Sequence, residues 1–307
     1  MIIVSGSIAY DTIVSTAWKF VDNRRGDEKH YSYSLFSPRM VRQSWWTWHN
    51  IAYTLWLLGF KNETLLVWSV GIDFIAEERL KNHISYDHVL TNSKNLTACA
   101  TIINDDDNNQ IIAFHPWAMS SWLHTLPNQN CKYSIIAPND KQIMISHAKA
   151  AKAMWSVVFF DPGQALWLFT KEDLSDIFSV VDYLICNDEE ALSIATLFSI
   201  DVSNISTICK NFIITQWANW ISYCDSGKNW FIKSFLVDQV VDTTGAWDAF
   251  RGWMLAGLMA WESLETALWY WSIVWALAVT HQWTMNHEIS IADLKDKYNL
   301  RKTSELL

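Results

Sequence analysis

The amino-acid sequence predicts an α/β fold, with a central, mostly parallel sheet, helices on both faces and a small antiparallel β lid. Short β-rich apolar runs alternate with helix-length segments along most of the 307 residues, an alternation typical of parallel sheets. Half of the residues are hydrophobic and 18% are charged, which is enough apolar material for a large core. Two stretches break the alternation, and these predict the lid.

Each predicted core strand is a short apolar run bounded by a turn or a helical pattern. These runs are residues 2–4, 65–67, 143–146, 157–161, 183–186 and 212–215. Residues 243–279 follow a nearly continuous helical pattern. No internal repeat, low-complexity tract or linker divides the sequence, so we expect a single domain over residues 1–307.

The lid is expected from two segments, at about residues 12–45 and 96–118. The second segment reads as two strands, 98–103 and 110–114, around a polar turn at 105–109. Three consecutive aspartates open that turn. Carboxylates at a hairpin tip are typical of a solvated turn, and we do not expect a metal there.

Charge and hydropathy exclude several kinds of partner. Lys and Arg number 23 against 32 Asp and Glu, a net charge of -9, so no global basic field exists to attract nucleic acid or an anionic membrane. The longest apolar stretches, 252–261 and 273–280, are shorter than the roughly 20 residues that a membrane span needs. The first ten residues lack the basic region of a signal peptide, and the five cysteines form no C-x-x-C pair. We therefore expect a cytoplasmic protein with reduced thiols.

The ratio of tryptophan to glycine is abnormal, because the sequence has 20 Trp and only 9 Gly, whereas glycine alone is usually about 7% of residues. Several tryptophans also stand where turns favour glycine, among them Trp217, Trp220 and Trp230. Our hypothesis is that the gene uses UGA as a glycine codon and that the sequence was translated with UGA as tryptophan. The alternative is a genuinely Trp-rich chain.

The segment that carries chemistry runs from a short strand through a Gly/Thr turn into an amphipathic helix over residues 240–258. Free N–H groups and the helix dipole make such a helix start an anion site, here formed by the backbone from Gly245 through Ala246 and Trp247 to Asp248. Asp248 alone could be a favourable first-turn acid. A carboxylate beside an anion site is also what phosphoryl transfer to a hydroxyl requires.

Residues 242–248, Asp-Thr-Thr-Gly-Ala-Trp-Asp, resemble the Asp-Thr-x-Gly-Ala-Gly-Asp signature of the ribokinase-like (PfkB-type) carbohydrate and nucleoside kinases. Further matches are Phe-Asp-Pro-Gly-Gln at 160–164 and the Asn-x-x-Glu motif at 187–190. Within the family, Ala-Phe-His-Pro-Trp-Ala-Met at 113–119 is similar to the bacterial adenosine kinase branch, which has glycine in place of the tryptophan. Each clear departure from the family pattern is a Trp in place of Gly, at Trp45, Trp46, Trp117, Trp217, Trp247 and Trp253.

The resemblance implies a role for each matched residue. Asp248 would be the catalytic base, with the backbone of Gly245, Ala246 and Trp247 as anion hole. The nucleoside would be bound by Asp11, Trp45, Trp46 and Asn50, and ATP by Asn187, Thr215, Trp217 and Trp220. Glu190 and Asn187 would hold Mg²⁺ through water, and Asp242 and Thr244 a possible K⁺. From the residues alone, we expect Asp11 just after the first strand, at the carboxyl end of the parallel sheet where ligands bind, and there it could also be a plain loop or cap aspartate. Asn50 could be a plain polar residue at a helix start.

The resemblance therefore implies a ribokinase-like fold and an ATP- and Mg²⁺-dependent kinase that phosphorylates the 5′-hydroxyl of adenosine in purine salvage. We expect a monomer or homodimer whose partners are small molecules. One alternative is a ribokinase- or fructokinase-like sugar kinase of the same fold. The other, if the tryptophans are genuine, is a nucleoside-binding protein without catalysis.

Overall fold

We describe the protein from a computed structural model, in residues 1–20, 36–44, 47–76, 81–107, 109–120, 125–216, 220–234, 246–260, 262–280 and 296. The strands in this part of the chain are β1 Ile2–Ser5, β2 Ala9–Ser15, β3 Arg39–Ser44, β4 Thr64–Gly71, β5 Val89–Asn92, β6 Ala98–Asn104, β7 Gln110–His115, β8 Tyr133–Ile136, β9 Val157–Phe160, β10 Tyr183–Asn187, β11 Phe212–Gln216, β12 Trp220–Asp225 and β13 Lys228–Lys233. The α-helices there are α1 Thr47–Leu57, α2 Lys141–Ala153, α3 Lys171–Phe178, α4 Asp188–Phe198, α5 Ala246–Met259 and α6 Leu264–Ala278.

The main sheet has nine strands in the order β13-β12-β11-β10-β9-β8-β1-β4-β5. Its strands pair in parallel, except that β12 is antiparallel to both β11 and β13. Neighbouring residues of one strand belong to separate apolar clusters, with Ile2 in one and Ile3 in the other. One cluster includes residues of α1, α5 and α6 and the other residues of α2, α3 and α4. The predicted mostly parallel sheet with a helical layer on each face is confirmed.

The lid is a second sheet with the strand order β3-β2-β6-β7. The β2–β3 and β6–β7 pairs are antiparallel, and β2 and β6 pair in parallel. The predicted hairpin is present as β6 and β7. In its turn, the Asp105 carboxylate accepts hydrogen bonds from the main-chain N–H groups of Asp107 and Asn109 at 2.9 and 2.8 Å. These bonds hold the turn between the two strands.

The strand predicted at 143–146 is wrong, because these residues lie inside α2 and the strand of this region is β8. Asp140 begins the helix by accepting hydrogen bonds from the N–H groups of Gln142 and Ile143. Ile143, His147 and Ala151 are buried at intervals of four residues, which is the spacing of one helix face. The C-terminal helical pattern at 243–279 is also interrupted, since α5 ends at Met259 and α6 begins at Leu264.

Two tryptophans have a backbone conformation that favours glycine. Trp117 has φ +38° and Trp155 has φ +62°. Trp155 follows α2 and donates its N–H to the carbonyl of Lys152, while Ser156 donates to that of Ala151. This pattern is the Schellman motif, whose left-handed position is usually glycine. Gly59 occupies the same position after α1, with φ +86°.

No helix in the described ranges is both long and apolar enough to span a membrane. All five cysteines are free thiols.

Candidate active site

Three neighbouring strands of the main sheet end at the same edge. Asp161 directly follows β9, Asn187 is the last residue of β10, and Thr215 lies at the matching position of β11. Because these strands are parallel and adjacent, the three side chains begin at neighbouring points of the carboxyl edge. In open α/β sheets this edge is where ligands bind.

Asn187 and Glu190 form a reciprocal cap at the start of α4. The Asn187 side-chain oxygen accepts from the Glu190 N–H at 2.7 Å, and the Glu190 Oε2 accepts from the Asn187 N–H at 2.9 Å. Burial raises the pKa of Glu190 to about 7, and the nearby Asp161 carboxylate adds to the increase. The Asn187 N–H and the Arg251 charge act in the opposite direction. Glu190 is therefore held by its own helix beside a second carboxylate.

That second carboxylate belongs to Asp161, which is fully buried and forms an ion pair with Arg251 of α5. The Asp161 Oδ2 accepts from the Arg251 Nε, and the Asp161 Oδ1 is buried with no hydrogen-bond partner in the described part of the chain. Sequence reasoning gave neither residue a role. A signal was present, since Arg251 is a charged residue in a strongly apolar helix and such a residue needs a buried partner.

The ion pair places the beginning of α5 at this edge. Arg251 lies three residues after Asp248, which puts the two positions on one side of the helix. The structure describes the backbone of Ala246, Trp247 and Asp248 in the first turn of α5, and Gly245 lies outside the described residues. Because Arg251 reaches Asp161, the first turns of α5 lie close to the carboxyl end of β9. This arrangement agrees with an anion site at the helix start.

The oxygen ligands at the edge suit a magnesium ion and its waters. Glu190 uses Oε2 in the cap and has Oε1 as a second carboxylate oxygen, whereas the single side-chain oxygen of Asn187 is engaged in capping. Among the described residues no group of three or more His, Cys, Asp or Glu is arranged to hold a metal by itself. Mg²⁺ usually keeps several waters and is bound through one or two carboxylates and the phosphates of its substrate.

Of the predicted nucleoside residues, the structure describes Asp11 and Asn50. We expected Asp11 just after the first strand, but the structure places it inside β2 of the lid, opposite Gln43 and Ala100. The chain leaves the main sheet at Ser5 and becomes extended again at Ala9, so Asp11 belongs to the lid strand. Asn50 is buried in α1. Trp45 and Trp46 lie outside the described residues.

The predicted ATP residues are only partly described. Thr215 is buried, and its hydroxyl donates to the carbonyl of Cys186 at 3.2 Å. Trp220 begins β12, pairs with Gln216 and leaves 45% of its surface exposed. Trp217 and the predicted K⁺ ligands Asp242 and Thr244 lie outside the described residues.

The sequence matches the family model of the pfkB family carbohydrate kinases over residues 49–288, and the chain belongs to this family. The predicted class of enzyme, a phosphotransferase with an alcohol group as acceptor, is thereby confirmed. The nucleoside kinase of Methanocaldococcus jannaschii is 29% identical over 222 residues, which cover 70% of this chain and 72% of that protein.

Solved structures share the fold. The Burkholderia thailandensis nucleoside kinase in complex with inosine has a TM-score of 0.83 and 27% identity, and the match covers 98% of both chains. The Arabidopsis thaliana ribokinase complexed with ribose and ATP has a TM-score of 0.77 and 17% identity, covering 97% of this chain and 98% of that one. The ribokinase-like fold predicted from the sequence is confirmed.

Proposed function

We propose that the protein is a cytoplasmic nucleoside kinase that transfers the γ-phosphoryl group of ATP to the 5′-hydroxyl of adenosine. The observation that carries this proposal is the arrangement at one sheet edge, where the partly buried Glu190 and the buried Asp161–Arg251 ion pair lie beside the first turns of α5. A carboxylate next to a helix N-terminus suits the metal-bound phosphates of a nucleotide. The named relatives that act on nucleosides support the substrate class.

Asp248 is the base in the proposed mechanism. It takes the proton of the acceptor hydroxyl as that oxygen attacks the γ-phosphorus. The N–H groups of residues 245–248 hold the charge on the transferred phosphoryl group, and the helix dipole assists them. Residues at the helix start thus combine proton removal with charge stabilisation.

Glu190 would hold Mg²⁺ through water, with Asn187 fixing the orientation of Glu190. When bound, the ion neutralises charge on the β- and γ-phosphates. A potassium ion at Asp242 and Thr244 is a further part of the proposal. Thr215 and the turn at Trp217 and Trp220 would border the nucleotide.

Asp11 and Asn50 would bind the ribose hydroxyls of the nucleoside, together with the backbone at positions 45 and 46. Closure of the lid over this pocket would exclude water, which otherwise competes as phosphoryl acceptor. A sugar kinase of the same fold would share the catalytic edge and differ in this pocket. The residues of this pocket therefore decide which acceptor is phosphorylated.

We further propose that the active protein carries glycine at the six positions where tryptophan replaces a glycine of the family pattern. The positive φ of Trp117 supports this, because at that position the similar adenosine kinases have glycine. Genuine tryptophans at positions 46 and 247 would bring indoles into the space that substrate needs. In that case a nucleoside-binding protein without catalysis is the alternative.

The test is a phosphoryl-transfer assay on two versions of the purified chain. One has the printed sequence, and the other has glycine at the six positions where tryptophan replaces a glycine of the family pattern. Each receives ATP and Mg²⁺ with adenosine, inosine, ribose or fructose at equal concentration, and ADP and the phosphorylated product are measured. We expect the glycine version to prefer adenosine, as the resemblance of residues 113–119 to the adenosine kinase branch implies. Faster phosphorylation of ribose would favour the sugar kinase. No transfer to any nucleoside or sugar by either version would reject the kinase proposal.

A further inference from the structure

We propose that Asp161 and Arg251 are a positioning pair for phosphoryl transfer, which fixes the first turns of α5 against the carboxyl end of β9. The inference rests on the proposed function, since it concerns the geometry of the same transfer step. Neither residue needs to contact substrate for this role. The pair would act through the helix that carries Asp248 and the anion site.

Asp161 is a rigid attachment point. Its main-chain N–H donates to the carbonyl of Ile136 in β8 at 2.9 Å, so its backbone belongs to the middle of the sheet. Its side chain is 1% exposed and that of Arg251 is 11% exposed. The ion pair therefore connects the fixed edge of the sheet to α5 inside the protein, where salt and water screen it little.

The apolar contacts of α5 next to Arg251 have no comparable direction. Phe250, Trp253 and Met254 are buried in the apolar cluster that α5 shares with α1 and α6. Apolar burial is non-directional, so these contacts resist separation of the helix more than a small slide along its axis. An Arg Nε–carboxylate bond has a defined direction. The ion pair is therefore suited to set the position of α5 along the sheet edge.

A buried ion pair is weak evidence for stability, because desolvation offsets much of its attraction. Its place in the structure suggests positioning, since Arg251 is one helical turn from Asp248 and acts electrostatically on Glu190 as well as on Asp161. The Arg251 charge thus compensates two neighbouring carboxylates at the catalytic edge. A misplacement of about 1 Å in such a site can lower the rate about 10²-fold.

The test is the double substitution Asp161→Asn and Arg251→Gln, which removes both charges and leaves no unpaired buried ion. It is made in the version of the chain that is active in the transfer assay. We expect kcat to fall about 10²-fold, with the KM for adenosine nearly unchanged, because the helix start moves while the lid pocket does not. The single substitution Arg251→Lys keeps the charge beside Asp161 and should give a kcat between those of the double variant and the unsubstituted chain.

A matched control is the ion pair between Lys152 and Asp182 at 2.6 Å. Asp182 precedes β10 and accepts a hydrogen bond from the Val158 N–H at the start of β9, so this pair lies at the opposite, amino edge of the sheet. The double substitution Lys152→Gln and Asp182→Asn should leave kcat unchanged. A large loss of kcat in this control would mean that any lost pair slows the enzyme, and would overturn the positioning role.

Hydrogen exchange of the free protein gives a readout that does not depend on activity. Amides of residues 246–250 should exchange at least about tenfold faster in the Asp161/Arg251 double variant, as expected for a lost charge-assisted hydrogen bond. In the control variant they should not change. Unchanged amide exchange at residues 246–250, or wild-type kcat in the double variant, overturns the positioning role and leaves the proposed function standing. An unsubstituted chain that phosphorylates no nucleoside contradicts the proposed function, and exchange still decides whether the pair positions α5.

Discussion

Replacing Trp155 with glycine should stabilise the chain that has tryptophan at every Trp position of the printed sequence. Trp155 follows the last turn of α2 with φ +62°, and it is 92% exposed. A side chain with a Cβ in this left-handed region costs roughly 1–2 kcal/mol relative to ordinary backbone. Glycine adopts the same conformation at no steric cost. The substitution therefore relieves backbone strain and gives up little packing.

The two contributions can be compared. A tryptophan buries up to about 250 Å² when fully enclosed, and less than a tenth of Trp155 is covered. At about 25 cal/mol per Å², its lost burial is worth about 0.5 kcal/mol. Relief of the left-handed strain is larger, so we expect Trp155→Gly to raise the free energy of unfolding by about 1 kcal/mol.

The measurement is urea unfolding of Trp155→Gly beside Trp155→Ala, which removes the indole but keeps the Cβ. Alanine should give no comparable gain. The matched control is Gly59→Ala, at the equivalent position after α1, where φ is +86° and an added Cβ would meet no atom within 4 Å. It should lower stability by about 1 kcal/mol through conformation alone. A glycine variant at 155 no more stable than the alanine variant would refute the reasoning.

Three further predictions concern the catalytic edge and the codons. Asp248→Asn should fold and bind adenosine but lose transfer at least about 10²-fold, the lower range for loss of a general base; wild-type turnover would remove Asp248 from its role. Because the pKa of Glu190 rises from an ordinary 4.5 to about 7 on folding, the native state binds more protons between these values, and stability falls as pH rises through that window. Glu190→Gln removes this loss, so urea unfolding with EDTA should show the variant gaining stability over wild type between pH 5 and 8; a difference independent of pH would contradict this. Protein from the native host should have an intact mass below 35.6 kDa, and TGG codons at positions 46 and 247 would end the glycine hypothesis.

The strand and helix layers of this fold were predicted well from the sequence, because the hydrophobic periodicity and the length of each segment indicate its secondary structure locally. The failure at 143–146 shows the limit of that approach. A run of three or four apolar residues suits a buried strand or one helix turn equally, and here the capping carboxylate of Asp140 selects the helix. The lid hairpin was predictable from its turn. The parallel pairing of β2 with β6 was not, because it joins segments about 90 residues apart.

The candidate site shows the same division. The Asn187–Glu190 motif and the 242–248 segment could be found because each is continuous in sequence and resembles a family pattern. The Asp161–Arg251 pair joins residues 90 positions apart, and no local pattern predicts which buried carboxylate meets that guanidinium. Burial and sheet order had to be known before the two residues could be connected.

The positions of the strained tryptophans also distinguish between the two explanations for them. If the chain were a binding protein that had lost catalysis, tryptophan should replace glycine only where the glycine served phosphoryl transfer. Trp155 stands two residues before β9, at the amino edge of the sheet, whereas the proposed catalytic groups belong to the carboxyl edge. The glycine requirement at Trp155 comes from ending a helix and has no connection with nucleotide or nucleoside. A change of decoding acts on every such codon regardless of its place in the fold, and it accounts for Trp155 and the site tryptophans by one cause.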